Sequence, residues 1–413
     1  MKQIYFLLTL LISSSIFSQK TITDNINSKE LNTTRLVKIY IPENYDNEET
    51  VSYPLAIVLG DQYLFDMYVG NAKLYANKDK APKQIVVGIN MNNTYNKDVS
   101  IIPSNNALTN SSQKFQNFIK KELIPYMELN YRTSPFITIA AEGKGSDFIT
   151  YFLKDTEPIF NSFICITPQF TQFSGGRIES YSLNRLSTID NSYFIYASNN
   201  KKYISQKQSD RFNEIGTYLS SFEAKNIHIT FDKFVNSPNH LAVIGETIPR
   251  AFDKMFKLYA KITKSEFEAN IKDLAPMDAI KYVEQKYLDI QFLYGSNLNV
   301  RLDDIFAIEG IVIDRQDGDY LRVLGDFVMI KYPDSHIGDF YVGKYHELGK
   351  DYEKAEFYYK AAFGKMDPSD PKANAFYENI KRVSLLKESQ PKEEILEDFP
   401  DENQDEEEEE EEE

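Results

Sequence analysis

The sequence predicts an α/β domain built on a mostly parallel sheet, followed by an all-α region of helical repeats. From about Arg35 to Lys261, short apolar runs of strand length alternate with stretches of helical periodicity, the pattern of a sheet covered on both faces. Beyond that point the strand-like runs cease and helical spacing continues to about residue 387. The 413 residues suit two domains with extra segments, and a composition 42% hydrophobic and 14% aromatic can fill ordinary cores.

The expected strands are Leu36–Ile41, Leu55–Leu59, Gln84–Ile89, Phe136–Ala140, Phe160–Ile166, Tyr193–Ala197 and Ile227–Phe231. Between Ile89 and Phe136, the residues Phe115, Phe118, Ile119, Leu123 and Met127 recur on one helical face. A closing helix is expected over Gly245–Ile262, with Ala251, Met255, Leu258 and Tyr259 in register. These elements define a first domain over residues 30–262. Residues 263–387 then form a helical linker and repeats.

Both ends differ from the body. Lys2, the apolar run Ile4–Ile12 and the small polar residues after it read as a secretory signal over residues 1–18, cut between Ser18 and Gln19. The run is far short of the roughly 20 residues that span a bilayer, so no transmembrane segment is expected in the mature chain. Export to the periplasm, the outer membrane or the medium is the expectation, and no cysteine near the cut offers a lipid anchor. At the other end, residues 388–413 form an acidic tail closing on eight glutamates. Residues 392–413 hold fifteen acidic groups and one lysine, so the net charge of −16 leaves only −2 for the rest. Such a block of like charge repels itself and is expected to stay disordered.

Several function classes fall away. The single cysteine, Cys165, excludes a disulfide framework and a cysteine-based zinc cluster. The four histidines, His228, His240, His336 and His346, lack helical metal-ligand spacing, so neither a metal nor another cofactor is expected. No basic patch is large enough for nucleic acid.

One ordered set of motifs is more specific. Tyr53-Pro54-Leu55 and Gly60-Asp61-Gln62 are followed by Glu122–Tyr126, Asn130-Tyr131-Arg132, Ile137–Ala140 and finally Pro238-Asn239-His240. This series resembles the esterase family of the α/β-hydrolase fold, the group with esterase-D-like and ferric-siderophore esterases, over roughly residues 30–260. In the helical region, Gly343, Ala355, Tyr359, Ala362 and Pro368 have the spacing of a tetratricopeptide repeat. Tyr320, Leu324, Phe327 and Pro333 repeat its second half more weakly. The region resembles the C-terminal repeats of some bacterial esterase-like proteins, which implies a protein partner.

The resemblance implies a serine nucleophile at the third position of Gly-x-Ser-x-Gly, on a tight strand-to-helix turn. Here the strand ends in Ala141-Glu142-Gly143-Lys144-Gly145-Ser146, and the serine position is Gly143. Glycine supplies no hydroxyl, and it relieves the backbone strain of such a turn. Ser146 lies about one helical turn away and is expected to cap the helix, with Asp147 beside it. The acid loop after Tyr193–Ala197 offers Asn199 and Asn200 but no carboxylate; Asp210 falls in a helix. His240 stands where the catalytic histidine belongs, with Leu241 in place of the family's glycine, and is expected to lack its partners. Cys165 reads as part of a buried strand. The oxyanion elements persist as the Lys144 N–H and as Asp61 and Gln62, the expected ligand-binding residues.

The resulting expectation is an exported, non-catalytic hydrolase-like protein serving as a binding or scaffold component of the bacterial cell envelope. Its vestigial catalytic positions are Gly143, Asn199, Asn200 and His240, and its cleft is expected either to hold a small ligand or to be filled in. One alternative is an active carboxyl-ester or siderophore esterase with an unrecognised nucleophile. Another is a protein that binds a glycan or siderophore without turnover.

Overall fold

The apolar runs pair into one eight-stranded sheet. In the computed structural model, which describes residues 20–390 apart from 157, 172–173, 315–317 and 368, ten strands appear. They are β1 (Lys20–Ser28), β2 (Thr33–Ile41), β3 (Tyr53–Val58), β4 (Ile85–Ile89), β5 (Ile101–Ile102), β6 (Ala107–Leu108), β7 (Thr133–Glu142), β8 (Ser162–Ile166), β9 (Tyr193–Asn199) and β10 (Ile227–Lys233). The main sheet runs β1-β2-β4-β3-β7-β8-β9-β10, and β5 and β6 form a separate ribbon. From β4 to β10 every pairing is parallel, while β1 and β2 join antiparallel at one edge. The fold class therefore stands as expected. Strands β3, β4 and β8 are buried along their whole length, as a sheet covered on both faces requires.

All seven expected strands form. Strand β1 was not foreseen: its sequence KTITDNINS holds only two aliphatic residues, and an edge strand open to water needs few. The helical face between β6 and β7 forms as Asn110–Phe118 and Ile124–Asn130. The intervening Ile119–Leu123 is a π-turn. Pro125 has no N–H to offer the Lys121 carbonyl, and the helix widens where that bond is missing.

The closing helix runs His240–Met255, not Gly245–Ile262. Asn239 starts it, its side chain accepting from the Ala242 N–H at 2.8 Å. This cap makes His240 the first helical residue.

The described residues divide into two compact units, 20–274 with 278–308, and 275–277 with 309–390. A division at residue 262 leaves the helix Pro276–Tyr294 with the repeats, but its end packs on the sheet. The buried Tyr294 ring lies 5.0 Å from Phe136 and 5.5 Å from Phe256, and its hydroxyl donates to the Met255 carbonyl at 2.6 Å. Gly295 follows at φ +61°, where a Cβ would stand 2.7 Å from that of Ser134. Helical periodicity marks a buried face without naming what buries it, so this attachment was not legible.

The second unit contains the helices Gly318–Lys331, His336–Leu348, Tyr352–Gly364 and Ala373–Glu388. Small residues set their spacing. A Cβ on Gly338 would meet the Gly325 carbonyl at 3.0 Å, and one on Gly343 would meet the Tyr359 ring at 2.7 Å. Ala355, Tyr359, Ile380 and Val383 form a small core. Residues 1–18, the tail from 391 and Pro368 lie outside the described residues.

Candidate functional site

Strand β7 lies between β3 and β8, and its carboxyl end makes the sharpest turn of the site. Gly143 has φ 57° and ψ −124°, and the helix Lys144–Ile149 begins directly after it. Its N–H donates to the Ile166 carbonyl at 2.9 Å, tying the turn to β8. A Cβ here would come no nearer than 3.7 Å to the Tyr95 hydroxyl. Space for a side chain exists; the backbone angle is what glycine eases.

Tyr95 stands over the turn. Its hydroxyl donates to the Glu142 carbonyl at 2.7 Å and accepts from the Gly145 N–H at 2.8 Å. It thus satisfies an amide that a capping side chain at position 143 would otherwise serve. Burial pushes this phenol up to about 12, so it is neutral at pH 7.

Ser146 does not cap the helix. Its fully buried hydroxyl lies 2.7 Å from the Ala141 carbonyl oxygen and 3.1 Å from that of Ile166, facing back into the sheet. Asp147 is also buried. Desolvation pushes its carboxyl up to about 7, against the pull of Arg177 and of a Gln169 backbone hydrogen bond. Cys165 is buried in β8, where desolvation raises its thiol far above the ordinary range. None of the three is placed as a nucleophile.

The acid loop does not hold the histidine. Asn200 accepts from the Lys202 N–H at 2.9 Å, and Asn199 is buried with its Nδ2 unpartnered. The expectation that His240 has no carboxylate is nevertheless corrected: its Nε2 is hydrogen-bonded to Oε1 of Glu142. The other oxygen, Oε2, accepts from the Tyr63 hydroxyl at 2.6 Å. The histidine's partner comes from the end of β7, 98 residues earlier in the chain. The available signal was a charged residue between the apolar run of β7 and the glycine turn.

A cleft of about 470 Å³ opens above the turn, at the carboxyl ends of β3, β4 and β7. Asp61, Gln62 and Lys144, the residues proposed from the sequence to bind a ligand, line it together with Tyr63, Tyr95 and Glu142. Asn90 donates to Oδ2 of Asp61 at 2.7 Å, while Oδ1 is buried without a partner. Behind this wall the buried Arg35 bonds the Asn90 carbonyl at 3.0 Å, Thr94 at 2.8 Å and Asp98 at 2.7 Å. One guanidinium so fixes the loop carrying Asn92 and Tyr95. Among the described residues, no group of three or more His, Cys, Asp or Glu side chains could hold a metal ion.

The sheet order and the turn after its central strand now have counterparts. Residues 28–141 match the family model described as "Putative esterase", which ends just before the turn. The fold is that of the α/β-hydrolases. An IroE-like serine hydrolase from Shewanella oneidensis shares 18% identity at a TM-score of 0.54, over 74% of this chain and 98% of that one. An uncharacterised protein from Capnocytophaga ochracea reaches 0.77 at 23% identity, over 89% of this chain and all of the other. No curated protein matches. Gly143 forms the turn between β7 and the helix Lys144–Ile149. The first unit carries this turn, the cleft and the Glu142–His240 pair.

Among the described residues, no helix is long and apolar enough to cross a membrane.

Proposed function

We propose that the chain is an exported pseudo-hydrolase, a non-catalytic protein that holds a ligand in its cleft as a binding or scaffold component of the bacterial cell envelope. One observation carries the reading: the elbow residue is Gly143, so no hydroxyl stands where acyl transfer needs its nucleophile. The imidazole that would take the proton has its Nε2 engaged by Glu142 instead. Losing triad members leaves about 10³–10⁴-fold acceleration over water, from binding and the oxyanion hole alone. That is little for an ester whose uncatalysed hydrolysis is slow.

The helical unit supports the scaffold side of the proposal. Tetratricopeptide-like pairs stack into surfaces that take peptides or neighbouring subunits. Phe357 and Leu385 expose about two-thirds of their surface there, 66% and 67%.

The test is chemical. Mature protein treated with a fluorophosphonate probe should remain unlabelled, and nitrophenyl acetate should be hydrolysed no faster than by a denatured control. His240→Ala should not change the background rate. Stoichiometric labelling, or turnover abolished by that substitution, would refute the non-catalytic reading.

A further inference from the structure

The cleft wall carries more hydrogen-bonding capacity than the protein uses. The carboxamides of Gln62, Asn92, Asn96 and Gln169 all line it, and all four residues are exposed. Among the described residues, none of these four side chains has a hydrogen-bond partner. Each offers a donor pair and an acceptor side by side. A hydroxyl both donates and accepts, so such a wall suits a ligand rich in hydroxyls.

Tyr63 adds an aromatic surface. The residue is 50% exposed and lines the cleft, while its hydroxyl is tied to Glu142, which is tied in turn to His240. A ring anchored at its tip gives a large contact area at little entropic cost. Below it, Gly143 leaves the backbone of the elbow bare, and a flat ligand can approach closely there.

We propose that the cleft binds a neutral, hydroxyl-rich ring, that is, a carbohydrate, with Tyr63 as its stacking platform. In this arrangement His240 is a positioning residue that acts through Glu142. The proposal rests on the cleft being a binding site without turnover.

The other ligand classes fit less well. An anion would meet Lys144 but also the carboxylates of Asp61 and Glu142, and a cation would meet the reverse. An acyl chain would find chiefly Leu59, Leu64 and Met91 among polar groups. An extended peptide is usually held by a sheet edge or a helical groove, whereas this cleft lies across the carboxyl ends of the central strands.

The experiment applies the mature full-length chain to an array of neutral oligosaccharides and to a panel of unrelated peptides, then titrates the strongest sugar calorimetrically. Saturable sugar binding is expected, weakened at least tenfold in Tyr63→Ala. The double variant Gln62→Ala/Asn92→Ala should lose a similar factor, and its exposed, unpartnered side chains can be removed without disturbing the fold. His240→Ala should weaken binding several-fold in the native background and have no further effect in Tyr63→Phe, where the tether is already gone. A merely structural histidine would act equally in both. Absence of saturable binding to every neutral oligosaccharide, preference for peptides, or unchanged affinity in either alanine variant would overturn the proposal. Ester turnover that depends on His240, with sugar binding still saturable, would overturn the non-catalytic reading and with it the claim that the cleft binds sugar without turnover.

Discussion

The Nε2 atom of His240 is hydrogen-bonded to Oε1 of Glu142, the residue immediately before the glycine of the elbow. In a serine hydrolase that nitrogen would accept the nucleophile's proton. Here a carboxylate takes the bond, and Tyr63 holds the same carboxylate from its other side. His240, Glu142 and Tyr63 so form one hydrogen-bonded chain beside the turn.

Restoring the hydroxyl is the most direct challenge to this arrangement. Gly143→Ser alone should yield no burst and no rapid turnover with nitrophenyl acetate. The new side chain would rise toward the Tyr95 hydroxyl, which a Cβ already approaches to 3.7 Å, and would compete with Glu142 for His240. A histidine held without its proper acid partner costs about 10⁴-fold in a working triad. Serine at φ 57° also carries about 1–3 kcal/mol of backbone strain, so the variant should melt lower. Adding Asn199→Asp or Asn200→Asp, together with Glu142→Gln, should raise the rate above the single variant. Enzyme-like rates from Gly143→Ser alone would mean that His240 is free to act as a base.

Asp147 predicts a dependence on pH. Its folded carboxyl is pushed up to about 7 by burial, from an ordinary value of 3.8. Between those values the folded state binds more protons than the unfolded one, so stability falls as pH rises from about 4 to about 7 and then levels. The slope from one group is at most about 1.4 kcal/mol per pH unit. Asp147→Asn removes this contribution, and the stability difference between variant and native protein should move in the variant's favour across that window. Urea denaturation of both proteins at pH 4.5, 5.5, 6.5 and 7.5 measures it. A difference that stays constant with pH would show that Asp147 does not titrate there.

The sheet was legible because parallel strands buried on both faces leave continuous apolar runs, as in Leu55–Val58 and Phe163–Ile166. Strand β1 was not, since Ile22 and Ile26 are all the hydrophobicity an edge strand has to show. At the site, Gly143 could be read from its position after β7. The pairing of Glu142 with His240 could not, because a charge between β7 and the glycine turn does not say which residue 98 positions along the chain will meet it. Ser146 illustrates a different limit. Its place in the first helical turn suggested a cap, but the side chain turns toward the Ala141 carbonyl, and Tyr95 supplies the missing acceptor from another element.

The last prediction concerns Gly343 and tests whether the helical unit depends on small-to-aromatic packing. A Cβ there would lie 2.7 Å and 2.8 Å from Cδ1 and Cε1 of Tyr359, closer than real contacts allow. The ring cannot easily withdraw. Its hydroxyl donates to Glu347 at 2.6 Å, and Arg382 grips both oxygens of that carboxylate at 2.9 and 2.8 Å. Gly343→Ala should therefore destabilise the helices His336–Leu348 and Tyr352–Gly364 by about 1–3 kcal/mol, the usual cost of forcing a methyl group into a filled space. Tyr359→Phe keeps the ring but releases it from Glu347, so the same alanine should cost less in that background. Hydrogen exchange of the two helices, followed by mass spectrometry in both single variants and the double, gives the coupling between the sites. Additive effects, or a Gly343→Ala cost within about 0.5 kcal/mol of zero, would show that the Glu347 tether does not hold Tyr359 against Gly343.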